Sequence, residues 1–475
     1  MFEKKILLAI FTIPFLLTAC TQTVSSEESS AFRDLFPTSD ETDFENTYEA
    51  ELYYNYVMLD LLYLYAHTRG ELDPDYRVYL GKGTSEVNEV KGYCTANFFD
   101  VCYMYNQMAD PFTQYFDPYI ADQVLSAVME SETVIGIGAE VEPISDSTST
   151  NLRITAIYPK SPSEKAGLQE GDIIYLVDGL HVTTSENFNA MCTGNIGDVI
   201  RIVVGRDADT VVTAVTLGEY KTPSVKLHYE DSIPVIEILH FAVTTTSDSG
   251  TYGEFISALQ KTANAKSTII DLRQNPGGET DQCGNAASEL LSKGDTIIID
   301  IEAFVDSVID KGNTRYYQSF DTIVYTAQTE GIAKDRYYVL MASDTSASCA
   351  ETFISAIAAN KKSPIVGKLT YGKGIGQAVI QTEIGGGLAL ITALQGFDKN
   401  WESYHDLGIA PDYDITEPDM QMAKAVELAK EATALRTAGY GTKKLNHFSK
   451  TRVYESRNKL PNRNDLKLRY KMKNR

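Results

Sequence analysis

Residues 336–359 read RYYVLMASDTSASCAETFISAIAA and set the expectation for the fold. The apolar run over 336–342 predicts a buried strand, and the apolar stretch over 352–359 predicts a helix. Small polar residues fill the turn between them, among them Ser346 and Ser348. A strand that passes through a short turn into a helix is the unit of an α/β layer, so we expect a sheet covered by helices.

Strand and helix signals continue to alternate through residues 219–420. An apolar run over 267–273 predicts another buried strand, followed by the turn sequence NPGG and a helical stretch near 280–291. Further strands and turns are predicted at 364–367, 369–377, 387–394 and 408–412. We therefore expect one α/β domain over 219–420.

Ser348 stands at the strand-to-helix junction, where a nucleophile is well placed. Free N–H groups and the positive end of the dipole at a helix start can stabilise an oxyanion. A serine nucleophile needs a base, and neither the six histidines nor a G-x-S-x-G motif supplies a triad signature. Lys373, between two glycines, is the other candidate, if burial lowers its pKa from about 10.4 towards 7–8. Taken alone, such a serine is more often an N-cap and such a lysine a solvated turn residue.

Residues 134–218 read as short strands with two short helices. They include VIGIGAEV at 134–141 and SPSEKAGLQEGDIIYLVDG at 161–179, and they resemble a bacterial PDZ domain, a small β-barrel. Its carboxylate-binding loop would fall on Ile135, Gly136, Ile137 and Gly138. The resemblance implies that an extended peptide adds to a sheet edge while N–H groups of the loop receive its carboxylate. A glycine turn without a ligand is the alternative.

The N-terminus reads as an export signal. Two lysines precede an apolar run over 6–17, which is too short to span a bilayer, and Leu-Thr-Ala-Cys follows. These residues resemble a bacterial lipobox with Cys20 as the lipidated residue, so we expect a lipoprotein in the cell envelope. A simple signal peptide is the alternative. Residues 21–45 are polar and predict a flexible tether.

Two further regions are expected to be helical. Residues 46–130 are rich in tyrosine, with apolar residues at helical spacing, and predict a helical domain. Residues 421–440 predict a C-terminal helix.

Charge and cysteine content limit the possible partners and the fold. The net charge of −23 argues against nucleic acid as a partner. The tail over 441–475 is basic, and we expect it to be disordered, with contact to anionic lipid or wall polymer as the alternative. Six cysteines are too few for a disulfide scaffold, and whether Cys94 pairs with Cys102 stays open.

Taken together, the motifs resemble those of the C-terminal processing peptidases, also called tail-specific proteases. The resemblance rests on five motifs that flank the PDZ-like region in the order of that family. They are DPFTQY (110–115), DLRQNPGG (271–278), SASCAE (346–351), GKGIGQ (372–377) and GIAPD (408–412). It implies a multidomain α+β protein, with a helical N-terminal domain at 46–130, a PDZ domain at 131–218 and a crotonase- or ClpP-like peptidase domain at 219–420.

The resemblance also implies roles for individual residues. Ser348 would be the nucleophile, Lys373 the general base and Gln377 the residue that orients the base. The oxyanion hole would combine the N–H of Cys349 with that of Gly277 or Gly278, a choice that the sequence leaves open. Ser346 is the alternative nucleophile, and Glu351, Pro411 and Asp412 are expected to be structural. The Cys349 thiol, next to the nucleophile, could oxidise and block the site.

The implied activity is that of a serine endopeptidase acting on unfolded or tail-exposed proteins of the cell envelope. We expect no metal or other cofactor, since no H-E-x-x-H motif and no Walker loop is present. Expected partners are substrate C-termini, the membrane through Cys20, and an adaptor or activator lipoprotein; the oligomeric state stays open. One alternative is a catalytically silent PDZ-type binding lipoprotein. A crotonase-type enzyme acting on CoA thioesters is a second, which leaves the PDZ-like region unexplained.

Overall fold

The structure is a computed structural model that describes residues 21–23, 47–85, 92–129, 133–145, 150–310, 313–382 and 385–437. The proposed signal peptide with Cys20, most of the tether and the basic tail lie outside the described residues. Among the described helices, none is long and apolar enough to cross a membrane. The chain forms two compact units, the larger from 1–129, 226–241 and 255–475 and the smaller from 130–225 and 242–254.

Helices and strands are numbered here in chain order, for the described residues. The α-helices are α1 (Thr47–Leu62), α2 (Phe99–Asn106), α3 (Ala121–Met129), α4 (Pro162–Lys165), α5 (Ser185–Met191), α6 (Gly250–Lys261), α7 (Thr280–Ser288), α8 (Cys349–Lys361) and α9 (Pro418–Thr437). Short 3-10 helices occupy Tyr76–Tyr79 and Ala96–Phe98. The strands are β1 (Thr21–Thr23), β2 (Gly92–Tyr93), β3 (Gln114–Phe116), β4 (Thr133–Gly136), β5 (Ala139–Ser145), β6 (Thr150–Ile157), β7 (Ile173–Val177), β8 (Val199–Arg206), β9 (Asp209–Thr216), β10 (Gly218–Lys221), β11 (Val225–Glu230), β12 (Ile233–Ile238), β13 (Ser267–Asp271), β14 (Thr296–Asp310), β15 (Asn313–Thr326), β16 (Tyr337–Ala342), β17 (Ile365–Gly367), β18 (Ile375–Gln381), β19 (Leu388–Phe397) and β20 (Tyr413–Asp414).

A six-stranded sheet forms one layer of the larger unit, in the order β11-β12-β13-β16-β17-β20. The pairs from β12 to β20 are parallel. Every residue of β13 and β16 is buried, because helices cover both faces of a parallel sheet and leave no solvent-facing side. Apolar residues of α9 pack on one face of these strands. Both strands were predicted from their unbroken apolar runs, and α8 follows β16 as expected.

A second, largely antiparallel sheet runs in the order β1-β18-β19-β14-β15, and β3 pairs with β19. Its 15-residue and 14-residue strands β14 and β15 form a long hairpin that was not predicted. Two further differences concern the edge of this sheet. Residues 21–23 were expected in the tether, but they form strand β1, which pairs in parallel with β18. Residues 375–377 were expected in a glycine-rich turn, but they begin strand β18.

The N-terminal region shares its core with this second sheet. A single buried cluster joins residues of α1 and α2, such as Leu59 and Met104, to Ile380 and Ile391 of β18 and β19. Residues 46–130 were expected to form a helical domain of their own. Instead their described part combines three α-helices with the short strands β2 and β3, because a small group of helices gains a larger core when it covers a sheet.

The smaller unit has the strands expected of a PDZ domain. Strands β5 to β9 form a five-stranded antiparallel sheet, β4 pairs with β10, and Leu152, Ile174 and Phe188 lie in its core. Residues 242–254 belong to this unit although they follow β12 in sequence. Glu254 accepts hydrogen bonds from the N–H groups of Ser224 and Val225 at 2.7 and 3.0 Å, so the unit closes on a segment distant in sequence.

Candidate active site

Ser348 occupies the N-cap of α8 and is fully buried. Its φ of 55° is positive, a conformation that costs a non-glycine residue about 1–3 kcal/mol and clusters at functional sites. The backbone N–H of Ser348 donates to Oε2 of Glu351 at 3.0 Å. The strained serine at the helix start is therefore held in place by a carboxylate one turn along the same helix.

Glu351 connects the nucleophile candidate to the base candidate. Its Oε2 also accepts from the N–H of Lys373 at 2.7 Å, so the backbones of Ser348 and Lys373 hydrogen-bond to the same oxygen atom. Its Oε1 accepts from the N–H of Gly372 at 2.7 Å and from the hydroxyl of Thr370. Burial raises the pKa of Glu351 to about 7, and these hydrogen bonds lower it in part. The structural role expected for Glu351 is thus to hold the backbones of Ser348 and Lys373 at one carboxyl group.

Lys373 is almost fully buried, with 2% of its surface exposed. Its Nζ lies 4.6 Å from the centroid of the Phe112 ring, which comes from the N-terminal region. The flanking glycines allow tight backbone packing, because a Cβ on Gly374 would lie 2.9 Å from the backbone nitrogen of His405. Desolvation disfavours an ammonium, while an aromatic face favours it. Two opposing effects therefore act on this amine.

Gln377 lies on strand β18 rather than in the predicted turn, and it too is buried. Its Nε2 donates to the hydroxyl of Thr392 on the paired strand β19 at 3.1 Å. That hydroxyl in turn donates to Oδ2 of Asp110, which also accepts from the hydroxyl of Thr113 at 2.7 Å. The orientation of Gln377 therefore depends on a carboxylate supplied by the N-terminal region.

The Gly277–Gly278 turn lies against the nucleophile candidate. A Cβ on Gly277 would lie 2.8 Å from the Cβ of Ser348 and 3.2 Å from the nitrogen of Cys349, so only glycine fits this close approach. The N–H of Gly277 donates to Oδ1 of Asn275 at 2.8 Å. The N–H of Phe241 donates to the carbonyl of Gly277 at 2.9 Å, which fixes the turn on its other side.

The four described cysteines of the larger unit form two disulfides. Cys349 forms a disulfide with Cys283 of α7, with a Cα–Cα separation of 5.9 Å. Cys94 and Cys102 form a second disulfide, which answers the question that their spacing had left open. The expectation of a free thiol at Cys349 is wrong, because α7 and α8 pack together and bring Cys283 within bonding distance.

The remaining polar residues of the motifs have structural partners. The Ser346 hydroxyl donates to the carbonyl of Leu272 at 2.8 Å and accepts from the N–H of Ser343 at 2.9 Å. Asp412 accepts from the N–H of Ile365 at 2.9 Å and so ties the end of the domain to β17. Ser346 thus joins two loops of the fold, which suits a structural role better than a nucleophilic one.

In the smaller unit, the four predicted peptide-binding residues span a strand end and a turn. Ile135 and Gly136 end β4, opposite Glu219 and Gly218 of β10, and the Ile137 carbonyl accepts from Ser163 at 2.8 Å. Gly138 has a φ of 72°, and a Cβ there would lie 2.4 Å from the Cβ of Ser161. Gly138 therefore has a packing requirement of its own, beside the predicted exposure of N–H groups. These residues stay a predicted binding site.

Comparison with known proteins matches both regions of the chain to families. A family model described as Peptidase family S41 matches residues 232–415. This range contains Ser348, Lys373 and the residues described around them, except those of the N-terminal region. Residues 232–415 are an S41 peptidase domain. A PDZ-domain model matches residues 153–206. The chain is thus a multidomain α+β protein with a PDZ module and an S41 domain, which confirms the predicted fold class.

Relatives match across both domains at modest identity. A probable CtpA-like serine protease of Staphylococcus haemolyticus is 26% identical over 332 residues, which cover 69% of this chain and 61% of that protein. A carboxy-terminal-processing protease of Bartonella bacilliformis is 24% identical, covering 69% of this chain and 71% of that protein. The chain thus spans about three fifths of the length of the staphylococcal relative. The solved structure of a photosystem II D1 C-terminal processing protease aligns with a TM-score of 0.45 and 18% identity, covering 81% of this chain and 98% of that one.

Several residues around the site were not singled out from the sequence. Asp110 and Phe112 lie in the DPFTQY motif, where an aspartate before proline signals a local turn, but no local pattern indicates their distant partners. Thr392 and Cys283 carried no signal, since their contacts are with distant segments. His405 packs beside Gly374, and burial lowers the pKa of its imidazole.

Proposed function

We propose that this protein is a serine endopeptidase in which Ser348 is the nucleophile, Lys373 the general base and Gln377 the residue that orients the base. The observation that carries the proposal is the shared carboxylate: Glu351 Oε2 accepts from the backbones of both Ser348 and Lys373. Within an S41 domain, this shared acceptor supports a site in which a serine and a lysine, the side-chain types that the proposed hydrolysis needs, act together at a helix N-terminus.

The acylation step follows from these roles. Neutral Lys373 accepts the hydroxyl proton of Ser348 as Oγ forms a bond to the carbonyl carbon of the substrate. The C–N bond then breaks, and the proton passes from Lys373 to the leaving amine. Water attacks the acyl-enzyme with the same proton transfers, which releases the new carboxyl end and restores Ser348. Burial of the amine supports the neutral form that the first step requires.

The oxyanion would be stabilised by two backbone N–H groups. One is that of Cys349 at the start of α8, where the helix dipole adds to the effect. For the second, Gly278 is favoured over Gly277, because the Gly277 N–H already donates to Asn275. Each such donor is worth about 3–4 kcal/mol of transition-state stabilisation in comparable sites.

The substrates would be unfolded or tail-exposed proteins of the cell envelope. The PDZ domain supports capture of their C-termini, with the terminal carboxylate bound by residues 135–138. An internal bond of the captured polypeptide would be the one cleaved. Lipidation of Cys20 would anchor the enzyme to the membrane, and an adaptor or activator lipoprotein remains a candidate partner.

The direct test is hydrolysis of an unfolded protein with an apolar C-terminus, offered as the free acid and as the amide. We expect Ser348→Ala and Lys373→Ala each to lower kcat by at least about 10³-fold. Ser346→Ala is the matched control, since it removes a neighbouring hydroxyl with a structural partner, and it should stay within about tenfold of wild type. Weaker cleavage of the amide would support capture of the terminal carboxylate.

Two results would contradict the proposal. Equal hydrolysis by wild type and Ser348→Ala would show that another group is the nucleophile. Saturable binding of the free acid without cleavage would favour the alternative, a catalytically silent PDZ-type binding lipoprotein. Loss of activity with a chelator would point instead to a metal, which the proposed chemistry does not use.

A further inference from the structure

We propose that the Cys283–Cys349 disulfide sets the geometry of the oxyanion hole, so that Cys283 is a positioning residue for catalysis. The inference rests on the proposed function, because it concerns the two N–H groups that would bind the oxyanion. The inference adds Cys283 to the predicted set of Ser348, Lys373 and Gln377. Hydrolysis would then depend on whether the buried Cys283–Cys349 pair is oxidised or reduced.

The disulfide connects the two segments that supply the oxyanion donors. Cys349 carries one donor on its own backbone, and it begins α8. Cys283 lies in the first turn of α7, a helix that begins two residues after Gly278. The covalent bond therefore fixes the helix behind the glycine turn to the helix behind the nucleophile. Both cysteines are buried, with 1% and 0% of their surfaces exposed.

The glycine turn is also held by hydrogen bonds. The N–H of Phe241 donates to the carbonyl of Gly277 at 2.9 Å, and the N–H of Glu279 donates to the carbonyl of Phe241 at 2.8 Å. Towards α8, the N–H of Ala347 donates to the carbonyl of Asn275 at 3.1 Å, and the Gly277 Cβ position lies 2.8 Å from the Ser348 Cβ. Without the disulfide, nothing covalent opposes a shift of α7 relative to α8.

Such a shift matters because the donors act only at short range. An oxyanion hole requires donors at about 2.7–3.1 Å from the charged oxygen, and a misplacement of about 1 Å can cost about 100-fold in rate. Reduction by a dithiol breaks the S–S bond: two electrons and two protons pass to the cysteines, and the dithiol closes to a cyclic disulfide. The Cys283 and Cys349 thiols then separate freely, and the two donors lose their fixed spacing.

The test compares kcat and KM for Cys283→Ala, Cys349→Ala and the double variant of the full chain. We expect each single variant to lower kcat about 10- to 100-fold, with KM within about twofold of wild type. The double variant should lose no more than either single variant, because all three lack the same bond. The matched control is Cys94→Ala/Cys102→Ala, which removes the disulfide of the N-terminal region and should keep the wild-type kcat.

A second measurement uses the wild-type protein and does not depend on a variant that folds. Samples treated with dithiothreitol are alkylated, and mass spectrometry gives the fraction of Cys283 and Cys349 that is reduced. Activity should fall in proportion to that fraction and return on reoxidation. The Cys94→Ala/Cys102→Ala control should show the same sensitivity, whereas Cys283→Ala should not respond.

Three results would overturn the inference: a folded Cys283→Ala with wild-type kcat, an active wild type in which both thiols alkylate without reduction, or activity that is unchanged in the reduced fraction. Failure of the proposed function looks different. In that case wild type and the Cys94→Ala/Cys102→Ala control would both lack hydrolysis that depends on Ser348, and no variant comparison would arise.

Discussion

The S41 domain and the N-terminal region contribute to the same candidate site through two buried carboxylates that act on different parts of the chain. Glu351 of the S41 domain binds backbone N–H groups, including those of Ser348 and Lys373. Asp110 of the N-terminal region accepts from one backbone N–H, that of Phe112, and from two hydroxyl groups, and one of these, on Thr392, connects it to Gln377. The first carboxylate shapes the loops, and the second orients a side chain.

This difference suggests that the two regions affect catalysis differently. A backbone held by Glu351 cannot relax without moving both Ser348 and Lys373, the proposed nucleophile and base, so the loss of this carboxylate should affect every proposed step. A side chain oriented through Thr392 can be released while the loops stay in place. The N-terminal region would then tune the base, while the S41 domain builds the site.

Among the changes that test the two carboxylates, Glu351→Gln is expected to have the largest effect. The amide can accept hydrogen bonds at one atom only, so its NH₂ group would face backbone N–H groups that now have no acceptor. We expect kcat to fall about 100-fold with Ser348 and Lys373 both intact, because their spacing is lost. Steady-state kinetics with the unfolded-protein substrate measures this, and a kcat near that of wild type would show that the shared carboxylate is dispensable.

The second prediction uses the proton of Glu351. Burial raises its pKa from an ordinary value of 4.5 to about 7, so between these pH values the folded protein keeps a proton that the unfolded chain has released. Stability from this group is therefore complete below about pH 4.5 and is lost as the pH rises through about 7, by about 3 kcal/mol in all. Urea unfolding of wild type and Glu351→Gln at several pH values measures it: the free energy of unfolding of wild type should fall by about 3 kcal/mol relative to that of the variant as the pH rises from about 4.5 to about 7. A difference independent of pH would contradict the assignment.

The smallest effect is expected from Thr392→Val, which breaks the connection between Asp110 and Gln377. We expect kcat to fall about tenfold, which is about 1.4 kcal/mol, while KM and the apparent Tm change little beyond the loss of one hydroxyl. Thr382→Val is the matched control. The hydroxyl of Thr382 also donates to a buried carboxylate, that of Glu51, at 2.6 Å, but it has no connection to Gln377. Equal losses of kcat in both variants would mean that the effect is general destabilisation.

The sequence predicted the regular parts of the S41 domain well and the connections between segments poorly. Strands β13 and β16 were found because a parallel strand buried on both faces leaves an unbroken apolar run. The long β14–β15 hairpin was missed, since its strands face different surroundings along their length. Cys283 and Thr392 were missed for a different reason: their partners are distant in sequence, and no local pattern records such a contact.

The contacts of the N-terminal region could not be predicted for the same reason. Its tyrosine-rich helical spacing correctly indicated α1, but a helix that packs on a sheet has the same pattern as one in a bundle. Nothing in DPFTQY indicated that Asp110 and Phe112 would meet residues more than 200 positions away. The family resemblance placed the motif in order without giving its role.

The discontinuity of the smaller unit has a practical consequence for fragment design. A recombinant PDZ fragment cut after the last PDZ strand would leave out residues 242–254, and with them the Glu254 carboxylate that receives the N–H groups of Ser224 and Val225. Conversely, an internal deletion of residues 130–225 would leave residues 242–254 in the protein without Ser224 and Val225, the hydrogen-bond partners of Glu254. A permuted gene that joins 242–254 directly to the strands by a short glycine linker is the form in which this binding module should be cloned, crystallised and screened.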